Sequence, residues 1–278
     1  MRIFIASDLH LGVTTNGNKS IGSLAAYVNT NGRAEDVLCV AGDIAKNDVG
    51  IGRCLEFFSD FPGTKMAIAG NHDIWTYDGS SSLERYERLP AIFRAAGFHP
   101  LEEQPIVVDG VGFVGAMGWY DYSFRDRSLG RSLDDYRRKL WVRSKPPIWN
   151  DVDFVHWPMS DIEATDWQLD RLDRSLLALK GVREIVAITH HLPTERLLVQ
   201  PRSSVPPEWR FANAFLGSNR VGELLQRHSA TVPFVFCGHI HLPQEAQIGP
   251  QRYLCVGGDY SKKQLLIRDG ENVSRATF

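Results

Sequence analysis

With 278 residues, 43% of them hydrophobic, the chain can bury a large core, and one domain spanning 1–278, or one domain with an insertion, is expected rather than two independent units. A formal charge of −2 gives no footprint for a long nucleic-acid track, and no apolar run approaches the roughly 18 to 20 residues that span a bilayer. The first strand-like run begins at residue 2, without room for a secretory leader, and the dispersed Cys39, Cys54, Cys237 and Cys255 form no CxxC pair; a reducing, cytoplasmic setting is expected, with no structural zinc.

In chain order, Arg2 to Ala6 is a short apolar run ending at Asp8-Leu9-His10, and Val37 to Ala41 is a second, ending at Gly42-Asp43. Residues 49–60 then have helical spacing. Met66 to Ala69 lead into Gly70-Asn71-His72-Asp73, and residues 81–96 form the next predicted helix, with serines at 80 to 82 for its N-cap. Pro105 to Gly115 reads as a hairpin turning at Asp109-Gly110. A helix is predicted over 160–180, after which Ile185 to Ile188 lead into Thr189-His190-His191. Another helix follows at 217–228, then Pro233 to Cys237, which lead into Gly238-His239-Ile240-His241. Residues 244–277 read as three or four short strands, the last two turning near Asp269-Gly270.

Apolar runs without alternation suit strands buried on both faces, as in a sheet covered by helices. Strand, polar cluster, helix, strand is an α/β layout, and the hairpins add antiparallel edges, so a mixed sheet or two packed sheets are expected. Groups placed past the carboxyl ends of such strands can converge in one crevice. Gly42, Gly70 and Gly238 are expected to supply the sharp turn where each strand stops.

Seven of the polar residues at these ends are metal-ligand types: Asp8, His10, Asp43, Asn71, His190, His239 and His241. Asp8 and His10 are two apart and share a face of an extended segment. The mixed oxygen and nitrogen set suits Mn, Fe, Zn, Co or Ni better than Ca or Mg. With one carboxylate bridging, two divalent or trivalent transition-metal ions would have four protein contacts each. Such a pair clamps a phosphoryl group and activates water for in-line displacement.

The series Asp8-x-His10, Gly42-Asp43, Gly70-Asn71-His72-Asp73, His190 and Gly238-His239-x-His241 resembles the calcineurin-like metallophosphoesterase superfamily in order and approximate spacing. The resemblance implies a four-layer α/β/β/α sandwich of two mixed β-sheets flanked by helices. It also implies one ion on Asp8, His10, Asp43 and His241, a second on Asp43, Asn71, His190 and His239, and His72 as the catalytic histidine beside a bridging hydroxide. Lys46 stands where the protein Ser/Thr phosphatases of this superfamily carry a second Asp, so the segment looks more like the phosphodiesterase, nucleotidase and nuclease branches. Asp73 either orients His72 or closes the turn, and His191 either lines the pocket or supports a ligand.

Residues 119–167 hold five of the seven tryptophans, together with Arg125, Arg127, Arg131, Arg137, Arg138, Lys139, Arg143 and Lys145. One reading is a cap over the metals whose aromatics, Trp119 and Tyr120 first, meet substrate; the other is a helical insertion packed on the sandwich edge. Arg196, in the loop from Pro193 to Phe215, is a candidate for a second wall. The expected function is hydrolysis of a small phosphodiester or nucleotide-like phosphoester. A DNA or RNA nuclease and a non-catalytic scaffold of the same fold are the alternatives. Nucleic acid is the less favoured partner, a membrane is not expected, and no motif sets the oligomeric state.

Overall fold

In chain order the elements are β1 (Arg2–Ala6), α1 (Thr15–Asn31), β2 (Val37–Ala41), α2 (Asp48–Glu56), β3 (Thr64–Ile68), α3 (Ser82–Ala95), β4 (His99–Pro100), β5 (Ile106–Val108) and β6 (Val111–Ala116). There follow α4 (Leu133–Arg137), α5 (Asp151–Phe154), α6 (Asp161–Ala178), β7 (Glu184–Thr189), α7 (Pro207–Ala212), α8 (Asn219–Arg227), β8 (Phe234–Cys237), β9 (Gln244–Ile248), β10 (Gln251–Cys255), β11 (Gln264–Asp269) and β12 (Asn272–Thr277). The structure is a computed structural model describing residues 1–142 and 144–278; Arg143, one of the basic residues of the insertion, lies outside the described residues.

Two six-stranded sheets form, in the orders β12-β11-β1-β2-β3-β4 and β5-β6-β7-β8-β10-β9. β1 to β4 run parallel, as do β6, β7, β8 and β10; antiparallel strands form the other edges, β11 and β12 in the first sheet, β5 and β9 in the second. Three buried clusters account for the layers. Ile3, Ile5, Cys39 and Met66 meet Phe113, Val186, Ile188 and Phe236 between the sheets. The alternate residues Phe4, Leu38, Val40 and Ala67 face α1, α2 and α3, while Ala187, Val235 and Tyr253 face α6 and α8. Each central strand is thus buried on both faces, which is why its sequence does not alternate. The result is an α/β/β/α sandwich of two mixed sheets flanked by helices.

α1 lies where the sequence predicted no helix. Its Asn, Gly and Ser content is poor helix-forming material. The helix exists because Thr14 accepts the Gly17 N–H as N-cap and because Ile21, Leu24, Ala25 and Val28 make one buried stripe. The hairpin between β5 and β6 turns at Asp109-Gly110, both in the left-handed region at φ 48° and 79°.

In the insertion, Trp119, Tyr120, Tyr122 and Tyr136 are fully buried in the cluster beneath the first sheet. Most of the aromatic bias of this segment therefore serves edge packing. Among the described residues, no helix is long and apolar enough to cross a membrane. All four cysteines are free and buried, and burial pushes the Cys39, Cys54 and Cys237 thiols upward.

Candidate metal centre

The carboxyl ends of β1, β2 and β3 in one sheet and of β7 and β8 in the other meet at one place. Loop backbones tie them: Asp8 N–H donates to Gly42 O at 3.1 Å, His10 N–H to Asp43 O at 2.9 Å and Gly238 N–H to His190 O at 3.1 Å. Five of the seven candidate ligands, Asp8, His10, Asp43, His239 and His241, sit in the left-handed region, at φ between 49° and 75°. Such a conformation costs a non-glycine residue roughly 1 kcal/mol or more. The sequence assigned this turning to the glycines, and only Gly42 has positive φ. Gly70 and Gly238 serve close approach instead. A Cβ on Gly70 would stand 2.2 Å from Asp43 Oδ1, and one on Gly238 2.7 Å from Asp8 Oδ2. Gly70→Ala is accordingly expected to displace the Asp43 carboxylate and lower bound metal, at an overpacking cost of about 1–3 kcal/mol. Wild-type ion content by elemental analysis would contradict this.

The ligand atoms form two overlapping groups. One atom each from Asp8, His10, Asp43 and His241 lie within 4.8 Å of one another, as do atoms from Asp43, His190 and His239. Asn71 Oδ1 joins the second group, 3.2 Å from His190 Nε2. Asp43 divides its oxygens between them, with Oδ2 3.5 Å from His10 Nε2 and Oδ1 3.3 Å from His190 Nε2. Ring nitrogens face each other at 3.1 Å in the first group, His10 Nε2 to His241 Nε2, and at 3.3 Å in the second, His239 Nδ1 to His190 Nε2. Buried Asp43 Oδ2 has no hydrogen-bond partner among the described residues. Convergent imine nitrogens around a half-satisfied carboxylate fit two cations of mixed N/O preference.

The electrostatics agree with the donor set. Burial alone would raise Asp43, yet the imidazoles of His190, His72 and His10 hold its carboxyl well below the usual range. Burial drives His10 down to about 3, keeping that ring neutral, and it lowers His239 as well. His190 goes the other way: against its burial, Asp43 and Asp8 push it up to about 10. The buried Asp43 and Asp8 carboxylates thus draw positive charge to the centre, here by holding a proton on His190, and a cation bound there would take that proton's place. The His190 Nδ1–H donates to Ala41 O at 2.9 Å, which aims its Nε2 at the centre.

Around the ligands, His72 is half-buried. Its backbone N–H donates to Asp43 Oδ1 at 3.0 Å, and its ring stacks on Trp75 with centroids 3.7 Å apart. Asp73 does not reach that ring's partners. It accepts N–H groups from Ile44, Ala45 and Gly70 and so closes the turns after β2 and β3; burial and the Asp43 charge push it up to about 7. His191 is buried behind His239, rings 4.3 Å apart, with Nδ1 3.2 Å from Met117 O. Lys263, fully buried, donates to the Asp8 carbonyl at 2.8 Å.

Asp151 has no role in the sequence reading. It is buried, and its Oδ1 accepts Asn71 Nδ2–H at 2.9 Å and Trp75 Nε1–H at 2.7 Å. Its Oδ2 accepts Trp149 Nε1–H at 2.8 Å and the Tyr120 hydroxyl at 3.1 Å. One carboxylate thus orients the amide of a candidate ligand, with Asn71 Oδ1 turned toward His190, and anchors the tryptophan under His72. The one available signal was that an amide ligand needs an acceptor for its NH2.

A cavity of about 670 Å³ opens from the ligands, lined by Asp43, Asn71, His72, His239 and His241 at its floor. Its walls come from 148–150 of the insertion, from within 198–216, and from Ile240 and Leu242, with Trp75 and Tyr260 completing it. Trp119, Tyr120, His191 and Arg196 are not among the lining residues: the first three are buried, and Arg196 is exposed elsewhere on the surface. The insertion reaches the cavity through Ile148, Trp149 and Asn150 instead.

The fold is similar to that of phosphopantetheinyl hydrolase from Mycobacterium tuberculosis, at 21% identity and a TM-score of 0.68, over 93% of this chain and 89% of that one. It is also similar to a dimetal phosphatase from Danio rerio, at 12% identity and a TM-score of 0.58, over 100% of this chain and 95% of that one. At these identities the likeness is one of fold. A comparison with curated proteins finds no match. The family model described as calcineurin-like phosphoesterase matches residues 1–243, which carry all five strand-end clusters of the centre, and the chain belongs to that family.

Proposed function

We propose that this metal-dependent phosphoester hydrolase acts on a small phosphoester, a phosphodiester in the first place, with two transition-metal ions from among Mn, Fe, Zn, Co and Ni. The observation that carries the reading is the division of the Asp43 oxygens between two ligand groups at the floor of the cavity. Asp8, His10, Asp43 and His241 would hold one ion, and Asp43, Asn71, His190 and His239 the other. Bound there, the ions supply Lewis acidity to a phosphoryl oxygen and lower the pKa of water.

The residues supply the rest. Asp43 and Asp8 bring the negative charge that fixes two cations close together. His72 presents Nε2 3.9 Å from Asp43 Oδ2, at the cavity floor, where it hydrogen-bonds a phosphoryl oxygen or protonates the departing alkoxide. Trp75 holds the plane of its ring. The cavity, about 670 Å³, favours a small ligand over a polymer lying across the surface.

The test is a substrate panel on protein stripped of metal and reloaded with each candidate ion. Bis-p-nitrophenyl phosphate, p-nitrophenyl phosphate, a phosphopantetheine ester and single-stranded DNA make up the panel; the third follows the name of the Mycobacterium tuberculosis neighbour. Diester hydrolysis is expected, and Asp43→Asn should lose more activity than the roughly 10- to 100-fold typical of an outer partner. Inactivity with every ion would sink the reading. So would absence of bound ion together with unchanged behaviour after Asp43→Asn, which would favour a scaffold.

A further inference from the structure

Beyond its floor the cavity is apolar. Trp149, Leu198, Val199, Trp209, Ile240 and Leu242 line it, and the polar wall residues Asn150, Ser204 and Asn213 are uncharged. Among the described residues, no Lys or Arg lines it. Three basic groups of the neighbouring segments are paired elsewhere: Arg210 with Asp126 at 3.1 Å, Lys139 with Asp161 at 2.8 Å, and Arg202 with Glu195. Large apolar side chains are nevertheless left in water at its mouth, where Trp209 is 61% and Leu242 47% exposed. Exposed apolar surface gathered beside a reactive centre marks a binding face.

Resting on the phosphoesterase reading above, we infer that the substrate carries a single phosphoryl group, held at the ligand floor, and an uncharged apolar arm, alkyl or aryl, that fills this cavity. A second phosphate on that arm would enter walls where no described residue offers a cation, and burying an unpaired charge is strongly unfavourable. An apolar arm instead covers Trp209, Leu242 and Val199, a gain proportional to the apolar area removed from water. Selection thus comes from absence of charge as much as from apolar contact.

The experiment measures binding of alkylphosphonates from methyl to octyl, of phenylphosphonate, and of an alkyl chain ending in a second phosphonate, to the metal-loaded full chain by calorimetry. Affinity is expected to rise about fourfold per methylene over the first several carbons, the value for a buried CH2. The terminal phosphonate should remove that gain. Trp209→Ala and Leu242→Ala, both at solvent-exposed positions where folding is little affected, should flatten the dependence. Tighter binding of phenylphosphonate than of hexylphosphonate supports an aryl arm, and the reverse order an alkyl one. Affinity independent of chain length, or unharmed by the second phosphonate, overturns the inference. Hydrolysis of methyl p-nitrophenyl phosphate is measured in parallel: cleavage with a flat phosphonate series refutes the arm and keeps the reaction, whereas a steep series without cleavage does the opposite.

Discussion

Asp151→Ala is expected to weaken ion binding about 10- to 100-fold, as loss of a ligand's orienting partner does, and to lower stability by several kcal/mol. The wild-type carboxylate satisfies four donors in a buried place, those of Asn71, Trp75, Trp149 and Tyr120. Alanine strands all four, and each unsatisfied buried donor costs roughly 1–3 kcal/mol, less where water enters the space left behind. The Asn71 amide is then free to rotate, and its oxygen loses its aim at the second ligand group. Asp151→Asn separates orientation from packing. It keeps the volume, but its NH2 would point at two donors, so the ligand amide is still misdirected. Chelator competition for ion affinity and thermal melts with and without metal decide the matter. A variant that melts early yet binds ions as the wild type does would reduce Asp151 to packing.

His72→Ala should lower kcat by about 10²- to 10⁴-fold, the usual range for a proton-transferring side chain, with ion content unchanged. The backbone N–H that holds Asp43 Oδ1 survives the substitution, and the ring is outside both ligand groups. The pattern across leaving groups tells which task the ring performs. p-Nitrophenolate leaves without a proton whereas an alkoxide needs one. Proton donation therefore predicts a loss concentrated on alkyl esters, and stabilisation of phosphoryl charge a loss shared by both. Unchanged kcat on both substrates would remove His72 from the reaction.

What the sequence made legible was the part set by local chemistry. Apolar runs ending in Asp, Asn or His mark β1, β2, β3, β7 and β8, and turn residues mark the hairpins at Asp109 and Asp269. α1 was hidden because its stability comes from one buried stripe rather than from propensity. The sequence left the function of 119–167 open, because a Trp or Tyr looks the same whether it faces a ligand or a core. Trp119 and Tyr120 pack inward, while Trp149, thirty residues on, reaches the cavity. Asp151 was invisible for a related reason: its role exists only once Asn71, 80 positions away, has been brought beside it.

Each ligand group draws from both sheets. Asp8, His10 and Asp43 come from the first and meet His241 from the second; Asp43 and Asn71 meet His190 and His239. A bound ion would then be a crosslink through the seam of the sandwich, joining segments such as those of His10 and His241, 231 residues apart. Opening that seam and releasing metal become one linked equilibrium, so free ion in solution deepens the stability of the whole sandwich by mass action.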